Sequence, residues 1–289
     1  MTLAYIGTSP FAATVLEALA SSPHTPALVI TKPPRPRGRG QRLALTPVAQ
    51  SAERLGLPLI APERLGDAAG ELAALSPEVV CLCSYGALVR EPILSDYEIL
   101  NVHPSLLPRW RGAAPVERAI MAGDEQTGVS LIRLVAELDA GPICALEASA
   151  IGPEDDYGTL AARLAASAAR LLMGAFDGPR VYLPQVAAGV TYAEKITAAD
   201  RVLDPSRSAA QLERVVRALH PHIGARTAGG LGVSKAKVAG EEAVPAGELV
   251  IREGHLLFGA ADEPLELLRV KPPGSREMDA AAYIRGHAV

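Results

Sequence analysis

Over the first hundred positions the apolar residues fall in short, nearly unbroken runs. "TLAYI" (2–6), "ALVIT" (27–31), "PLIAP" (58–62), "EVVCLCSYG" (78–86) and "EILNVHP" (98–104) each have strand length and strand composition. Between them the spacing changes to that of a helix. Phe11, Val15 and Leu19 recur at i, i+4 and i+8 after "GTSP", where Thr8 or Ser9 can cap and Pro10 suits the first turn. "TPVAQSAERLG" (46–56) repeats the cap, proline and helix order and ends on Gly56. Strands that alternate with helices of crossover length predict a mostly parallel α/β sheet over residues 1–104. Their continuous apolar character predicts that both faces of the sheet are covered.

Further on, "VERAIMAGD" (116–124) has helical spacing, and "GVSLIRLV" (128–135) and "GPICALEASAI" (141–151) read as an antiparallel pair around "AELDAG". A long Ala/Leu helix is predicted over 159–176 and another helix over 208–220. Residues 177–205 are turn-rich, with Pro179, Pro184, Gly189 and Pro205, and predict a linker. From Gly224 the pattern becomes glycine-punctuated strands, "GVSKAKVA", "GELVIREG", "HLLFGA" and "PLELLRVKPP", as in a small β-barrel or sandwich.

Composition narrows the class. The chain has 289 residues, 49% of them apolar, enough for two domains or one large one with a buried core. No uninterrupted apolar run approaches the ~20 residues that span a membrane, and the N-terminus carries no basic or Arg-rich leader. Three cysteines make no disulfide framework. Cys81 and Cys83 share one face of an apolar strand and read as buried thiols in a reducing cytosol. The net charge of −4 argues against a general nucleic-acid binder. Yet five cations, Lys32, Arg35, Arg37, Arg39 and Arg42, stand without an acid between them. Such a patch can hold a polyanion on an acidic protein. Its prolines and glycines predict an unstructured loop.

The stretch "NVHPSLLPRWRGAAP" (101–115) carries the candidate chemistry. Alternation along a strand puts Asn101 and His103 on one face, ~6.5 Å apart at Cα, with Val102 opposite. Pro104 places them at the carboxyl end of the strand, where ligands of open α/β sheets bind. Asp139, in the turn before Gly141, supplies a carboxylate. From these residues alone two readings stand. Asn101, His103 and Asp139 can satisfy loop and turn backbone. They can also form an acyl-transfer set: an amide donor for an oxyanion, an imidazole for charge and proton, and a carboxylate to orient it. No nucleophile elbow and no G-x-G-x-x-G fingerprint is present, which argues against a covalent hydrolase and against NAD chemistry. His220 and His222 in "HPHIGART" read as local structure rather than metal ligands.

Taken in order, "NVHPSLLPRWRGAAPVERAIMAGD", "TGVSL" and "LDAGPI" resemble the signature of the 10-formyltetrahydrofolate-dependent formyltransferases. "GTSPFAATVLEAL", "GRGQRL" after "TKPPRPR", "TYAEKI" and "LLRVKPPGSREMDAAAYIRG" extend the resemblance, over nearly the whole chain, to the branch that formylates methionyl initiator tRNA. The resemblance implies a Rossmann-like, mostly parallel N-terminal formyltransferase domain (1–185), a linker (186–205) and a small C-terminal OB-like β-barrel that binds tRNA (206–289). It implies that Asn101, His103 and Asp139 are catalytic. It implies that Ser105, Leu106, Leu107 and Pro108 take the folate and that Tyr85 and Gly86 line the pterin. Lys32, Arg35, Arg37, Arg39 and Arg42 would meet tRNA. The implied co-substrate is 10-formyltetrahydrofolate, with no metal; the implied protein is a cytoplasmic monomer with initiator methionyl-tRNA as partner and no membrane. Where many relatives have Leu-Pro after "YG", this chain has "LVREP" (88–92). Two other readings remain: an amino-sugar N-formyltransferase with the same donor, and a folate-dependent RNA-binding protein without activity.

Overall fold

The computed structural model describes residues 1–37, 41–240 and 243–287. In chain order, β1 (Leu3–Gly7) and α1 (Pro10–Ala20) are followed by β2 (Leu28–Ile30), β3 (Arg35–Arg37), β4 (Arg42–Ala44) and α2 (Pro47–Leu55). Then come β5 (Leu59–Ile60), a 3-10 turn at Leu65–Ala68, α3 (Ala69–Leu75), β6 (Val79–Cys83), α4 (Ile93–Asp96), β7 (Ile99–His103) and β8 (Arg111–Gly112). The middle of the chain forms α5 (Pro115–Ala122), β9 (Gln126–Arg133), β10 (Ile143–Ala150), α6 (Tyr157–Asp177) and β11 (Tyr192–Ala193). The rest forms α7 (Ala209–Leu219), β12 (Ala225–Arg226), β13 (Gly232–Val238), β14 (Leu249–Arg252), β15 (His255–Phe258), β16 (Leu265–Lys271), β17 (Met278–Asp279) and α8 (Ala280–His287).

The chain divides into two units, each continuous in space but not in sequence. The first comprises residues 1–113, 127–149 and 161–193. Its seven-stranded sheet has the order β10-β9-β7-β6-β1-β2-β5. β5, β2, β1, β6 and β7 run parallel, and β9 runs antiparallel to β7. β1, β2, β6 and β7 are buried at every position, which explains their unbroken apolar runs. β2 and β6 flank β1 on opposite sides, so the strand order reverses there and opens a crevice at the carboxyl ends. The predicted caps hold: the side chain of Ser9 accepts from Ala12 N and that of Thr46 from Ala49 N, and Gly56 closes α2. Cys81 and Cys83 are fully buried, and burial pushes the Cys83 thiol up to about 12. By length and composition α6 alone among the described helices could cross a membrane. Here Leu164, Ala168, Leu172 and Phe176 form a buried stripe at i+4 intervals.

The predicted unstructured loop does not hold for its arms. β3 pairs antiparallel with β4, so the backbone of Arg37 faces that of Arg42. A ladder of this kind needs backbone partners rather than apolar side chains, which is why composition missed it. Arg39, between the arms, lies outside the described residues.

The second unit comprises residues 114–126, 150–160 and 194–289. Its antiparallel sheet has the order β12-β13-β16-β15-β14, with β17 also on β16. α7, capped by the reciprocal Ser208–Gln211 pair, buries Leu212, Val215, Val216 and Leu219 in one core with Val233, Phe258, Leu265 and Val270. α8, which the sequence pattern did not reveal, adds Tyr283 and Ile284 to that core. The segment after residue 193 is fastened as well. Arg118 of α5 donates to both carboxylate oxygens of Asp200, at 2.7 and 3.2 Å, and to the Glu194 carbonyl at 3.1 Å.

Candidate active site

All the residues of the candidate site belong to the first unit. β7 brings Asn101 and His103 to one face; they stand opposite Ile132 and Ser130 of β9. Both side chains are buried, at 8% and 4% exposure. Immediately beyond, the chain folds into a closed loop. Ser105 N–H returns to the His103 carbonyl at 2.9 Å, and the Ser105 hydroxyl donates to the Arg109 carbonyl at 2.6 Å. Ser130 braces the loop from β9, donating to the Ser105 carbonyl at 2.8 Å and accepting from Leu107 N–H at 3.1 Å. Ser105 is wholly buried, so its hydroxyl shapes the loop, while Leu106 and Pro108 are partly exposed on it. An apolar groove of about 520 Å³, lined by Ile143, Leu146, Leu183 and Val186 among others, opens beside Leu107.

The return from this loop completes the site. Trp110 takes a left-handed φ of +64° and turns its carbonyl to His103 Nε2, 2.8 Å away. A carbonyl only accepts, so Nε2 carries a hydrogen and Nδ1 is the nitrogen that meets Asp139. β8 then runs parallel to β11. Arg111 N–H and Ala113 N–H are taken by the Thr191 and Ala193 carbonyls at 2.9 and 2.8 Å. The Gly112 N–H between them points the other way and donates to Asp139 Oδ2 at 2.8 Å. Gly112 has φ +120° and a Cβ there would stand 2.7 Å from the Ala193 carbonyl oxygen, so no other residue fits without strain.

Asp139 is therefore held from several sides. Oδ2 accepts from Gly112 and faces His103 Nδ1 at 3.6 Å; Oδ1 accepts from Asn101 Nδ2 at 3.3 Å. At 3.6 Å His103 Nδ1 stands just beyond hydrogen-bond distance of Oδ2. The turn differs from the sequence expectation in one respect. Its left-handed residue is Asp139 itself, φ +47°, a conformation that costs a non-glycine residue ~1–2 kcal/mol. Gly141 is required by space instead, because a side chain there would overlap the Arg133 carbonyl.

The other predicted residues separate. Tyr85 is buried, and Lys32 Nζ lies 5.1 Å above its ring while donating to the Gly86 carbonyl at 2.8 Å. Lys32 thus belongs with the Tyr85–Gly86 wall. Its pKa is lowered, first by burial and then by Arg35. Arg35 and Arg42 are exposed on β3 and β4. His222 accounts for itself locally, 2.9 Å from Glu117 Oε1 and stacked on Tyr157. Among the described residues no group of three or more His, Cys, Asp or Glu side chains could hold a metal. Sequence reasoning missed Ser130, Thr191 and Gln185. Gln185 donates to the Asp139 and Gly141 carbonyls at 2.7 and 2.8 Å, and Thr191 Oγ1 accepts from Trp110 N–H at 2.9 Å. Ser130 lies within "TGVSL" and Thr191 opens "TYAEKI", but nothing in either motif marked them, since each acts on a chain segment more than twenty positions away.

Comparison with known proteins adds an independent line. The family described as Formyl transferase matches residues 1–176, and Formyl transferase, C-terminal domain, matches residues 195–288. The methionyl-tRNA formyltransferase of Halorhodospira halophila is 42% identical, over 98% of this chain and 96% of that protein. That of Cereibacter sphaeroides is 41% identical, over 100% of this chain and 97% of that protein. Among solved structures, the Helicobacter canadensis N-formyltransferase in complex with folinic acid and dTDP-3-aminofucose superposes with a TM-score of 0.69. It covers 96% of this chain and 100% of its own at 14% identity, a likeness of fold alone. With full-length identity at this level and both domains matched, the chain belongs to the formyl transferase family, in the branch of the methionyl-tRNA formyltransferases.

Proposed function

We propose that this protein transfers the formyl group of 10-formyltetrahydrofolate to the α-amine of methionine esterified to initiator tRNA. The observation that carries the reading is the convergence of the buried Asn101 and His103 with the partly buried Asp139 at the end of β7, in a chain with this family membership. An α-amine titrates near ~7.7–8.0, so a useful neutral fraction exists at physiological pH and no strong base is needed. The amine nitrogen attacks the formyl carbon and a tetrahedral intermediate with an anionic oxygen forms. One Asn101 amide hydrogen is spent on Asp139, and the second is the donor for that oxygen. His103, with Nε2–H fixed on the Trp110 carbonyl, presents Nδ1 to Asp139 for the movement of a proton. The carbon–N10 bond then breaks. The nitrogen that attacked loses a proton and N10 gains one, and Asp139 carries that transfer through His103 or a water. The products are the formylated amine and tetrahydrofolate, with protons in balance.

Leu106, Leu107 and Pro108 with the apolar groove offer the flat parts of the folate a surface, and Tyr85 and Gly86 a wall for the pterin. The chemistry asks for no metal. On this reading the cations of β3 and β4, with Arg39 between them, and the C-terminal domain of residues 206–289 hold the tRNA. The protein acts as a cytoplasmic monomer, in keeping with its free thiols. One assay tests it: formyl transfer from 10-formyltetrahydrofolate to charged initiator tRNA, set against nucleotide-linked amino sugars. Formyl-methionyl-tRNA is the expected product. Turnover of the sugars alone would replace this reading with the amino-sugar one.

A further inference from the structure

Asp139 is the residue on which the site converges, and its backbone is strained. Its carboxylate is satisfied from β7 and β8, but those bonds do not explain what keeps the turn left-handed. The two carbonyls that bracket the turn, of Asp139 and Gly141, are both taken by Gln185 Nε2, at 2.7 and 2.8 Å. On its other side, Gln185 Oε1 accepts from Arg111 Nε and Nη2 at 3.2 and 2.8 Å. Arg111 is buried and its Nη1 is held by Glu137 at 3.2 Å. A guanidinium has only donors, so the oxygen of the amide must face Arg111 and its nitrogen must face the carbonyls. Every hydrogen-bonding position on the amide head group that this geometry uses is matched. Arg111 in turn leads straight into Gly112, whose N–H holds the Asp139 carboxylate.

We propose that Gln185 is a positioning residue: its amide braces the Asp139 turn against β8 and so sets the Asp139 carboxylate against His103 and Asn101. The proposal rests on the catalytic reading of Asp139 given above. Neither a shorter nor a charged side chain reproduces the brace. Asn at 185 is one methylene short of reaching both carbonyls from the Arg111 side. Glu keeps the partner for Arg111 but turns an oxygen toward two carbonyl oxygens.

The test uses the full chain with Gln185→Ala, Gln185→Asn and Gln185→Glu. Gln185→Ala is expected to lower kcat for methionyl-tRNA formylation by about 10- to 100-fold, the scale of a small misplacement of a catalytic group. KM for both substrates should change by less than about threefold, since an interaction felt in the transition state is what is lost. Gln185→Glu should be at least as damaging, and Gln185→Asn should not rescue. In an Asp139→Asn background, Gln185→Ala should cost less than about twofold more, because the two act as one unit. A role in stability alone would instead add in full. A second readout needs no substrate: in Gln185→Ala the Gly112 amide should exchange with solvent about tenfold faster or more, with β1 and β6 amides unchanged. A Gly112 amide as protected as in the wild type, or a kcat within about twofold of it, would overturn the proposal. If the wild-type chain formylates no methionyl-tRNA, the functional reading falls, and the exchange result alone decides the brace.

Discussion

At the residue scale the candidate site converges on the Asp139 carboxylate. Asp139 accepts from Gly112 and Asn101, and these two donors leave no place for an amide nitrogen. Asp139→Asn keeps the shape but must turn an NH2 toward one of them and removes the charge that faces His103. Turnover should fall at least ~10²-fold across pH 6 to 8, on the scale of a lost oxyanion-site group. Near-normal turnover of that variant over this range would rule out proton handling by Asp139. Asn101→Ala and His103→Ala should each cut kcat by at least ~10²-fold as well. Folate affinity, measured by fluorescence titration, should stay within about threefold, because neither side chain is needed to form the Ser105–Pro108 loop.

At the element scale, two short strands do work out of proportion to their length. β8 and β11 share one two-residue pairing, yet it aims the Gly112 N–H at Asp139 and leaves the Trp110 carbonyl for His103. In the second unit the corresponding fastening is between α5 and the segment that follows residue 193. Arg118 holds the Asp200 carboxyl at a pKa of about 2, aided by Thr197 N–H and hydroxyl at 2.8 and 2.7 Å. An unfolded Asp binds its proton near pH ~3.9, so between that pH and about 2 the unfolded chain holds the extra proton. The pair therefore stabilises the fold above pH ~4, and that contribution is lost as pH falls through this window. With both side chains partly exposed, its worth is about 1–2 kcal/mol. Asp200→Asn should lower stability by that amount in urea unfolding at pH 7, and the gap should shrink at pH 3. An undiminished gap at pH 3 would mean that packing, not charge, is what the substitution removes.

For the whole molecule, the net charge of −4 and the cation-rich hairpin pull in opposite directions. On the proposed function, binding of tRNA concentrates where Arg35, Arg37 and Arg42 lie on β3 and β4. Each phosphate neutralised in a duplex contributes ~0.9 to the slope of log affinity against log salt. Replacing these three arginines with Gln should make the tRNA slope shallower by roughly 2 to 3, while folate binding and thermal stability stay unchanged. A wild-type slope with wild-type formylation would leave the hairpin as solvated surface.

What was legible in the chain by itself follows from periodicity and local chemistry. Apolar runs of strand length identified β1, β2, β6 and β7, since full burial on both faces leaves no room for polar residues. Thr8 or Ser9, and Thr46, announced their helices because capping is a matter of three neighbouring residues. Alternation along a strand by itself puts Asn101 and His103 on one face. Only the tertiary structure decided the rest. It brought Asp139, 36 positions further on, within 3.6 Å of His103. It gave Lys32 to the Gly86 carbonyl, and it made Gln185, Thr191 and Ser130 braces of segments far from them in the chain. It also split the chain so that α5, lying in sequence between β8 and β9, shares its unit with α7. Hydrogen bonds between distant segments leave no period in the sequence, because each needs only one residue of the right length in the right place.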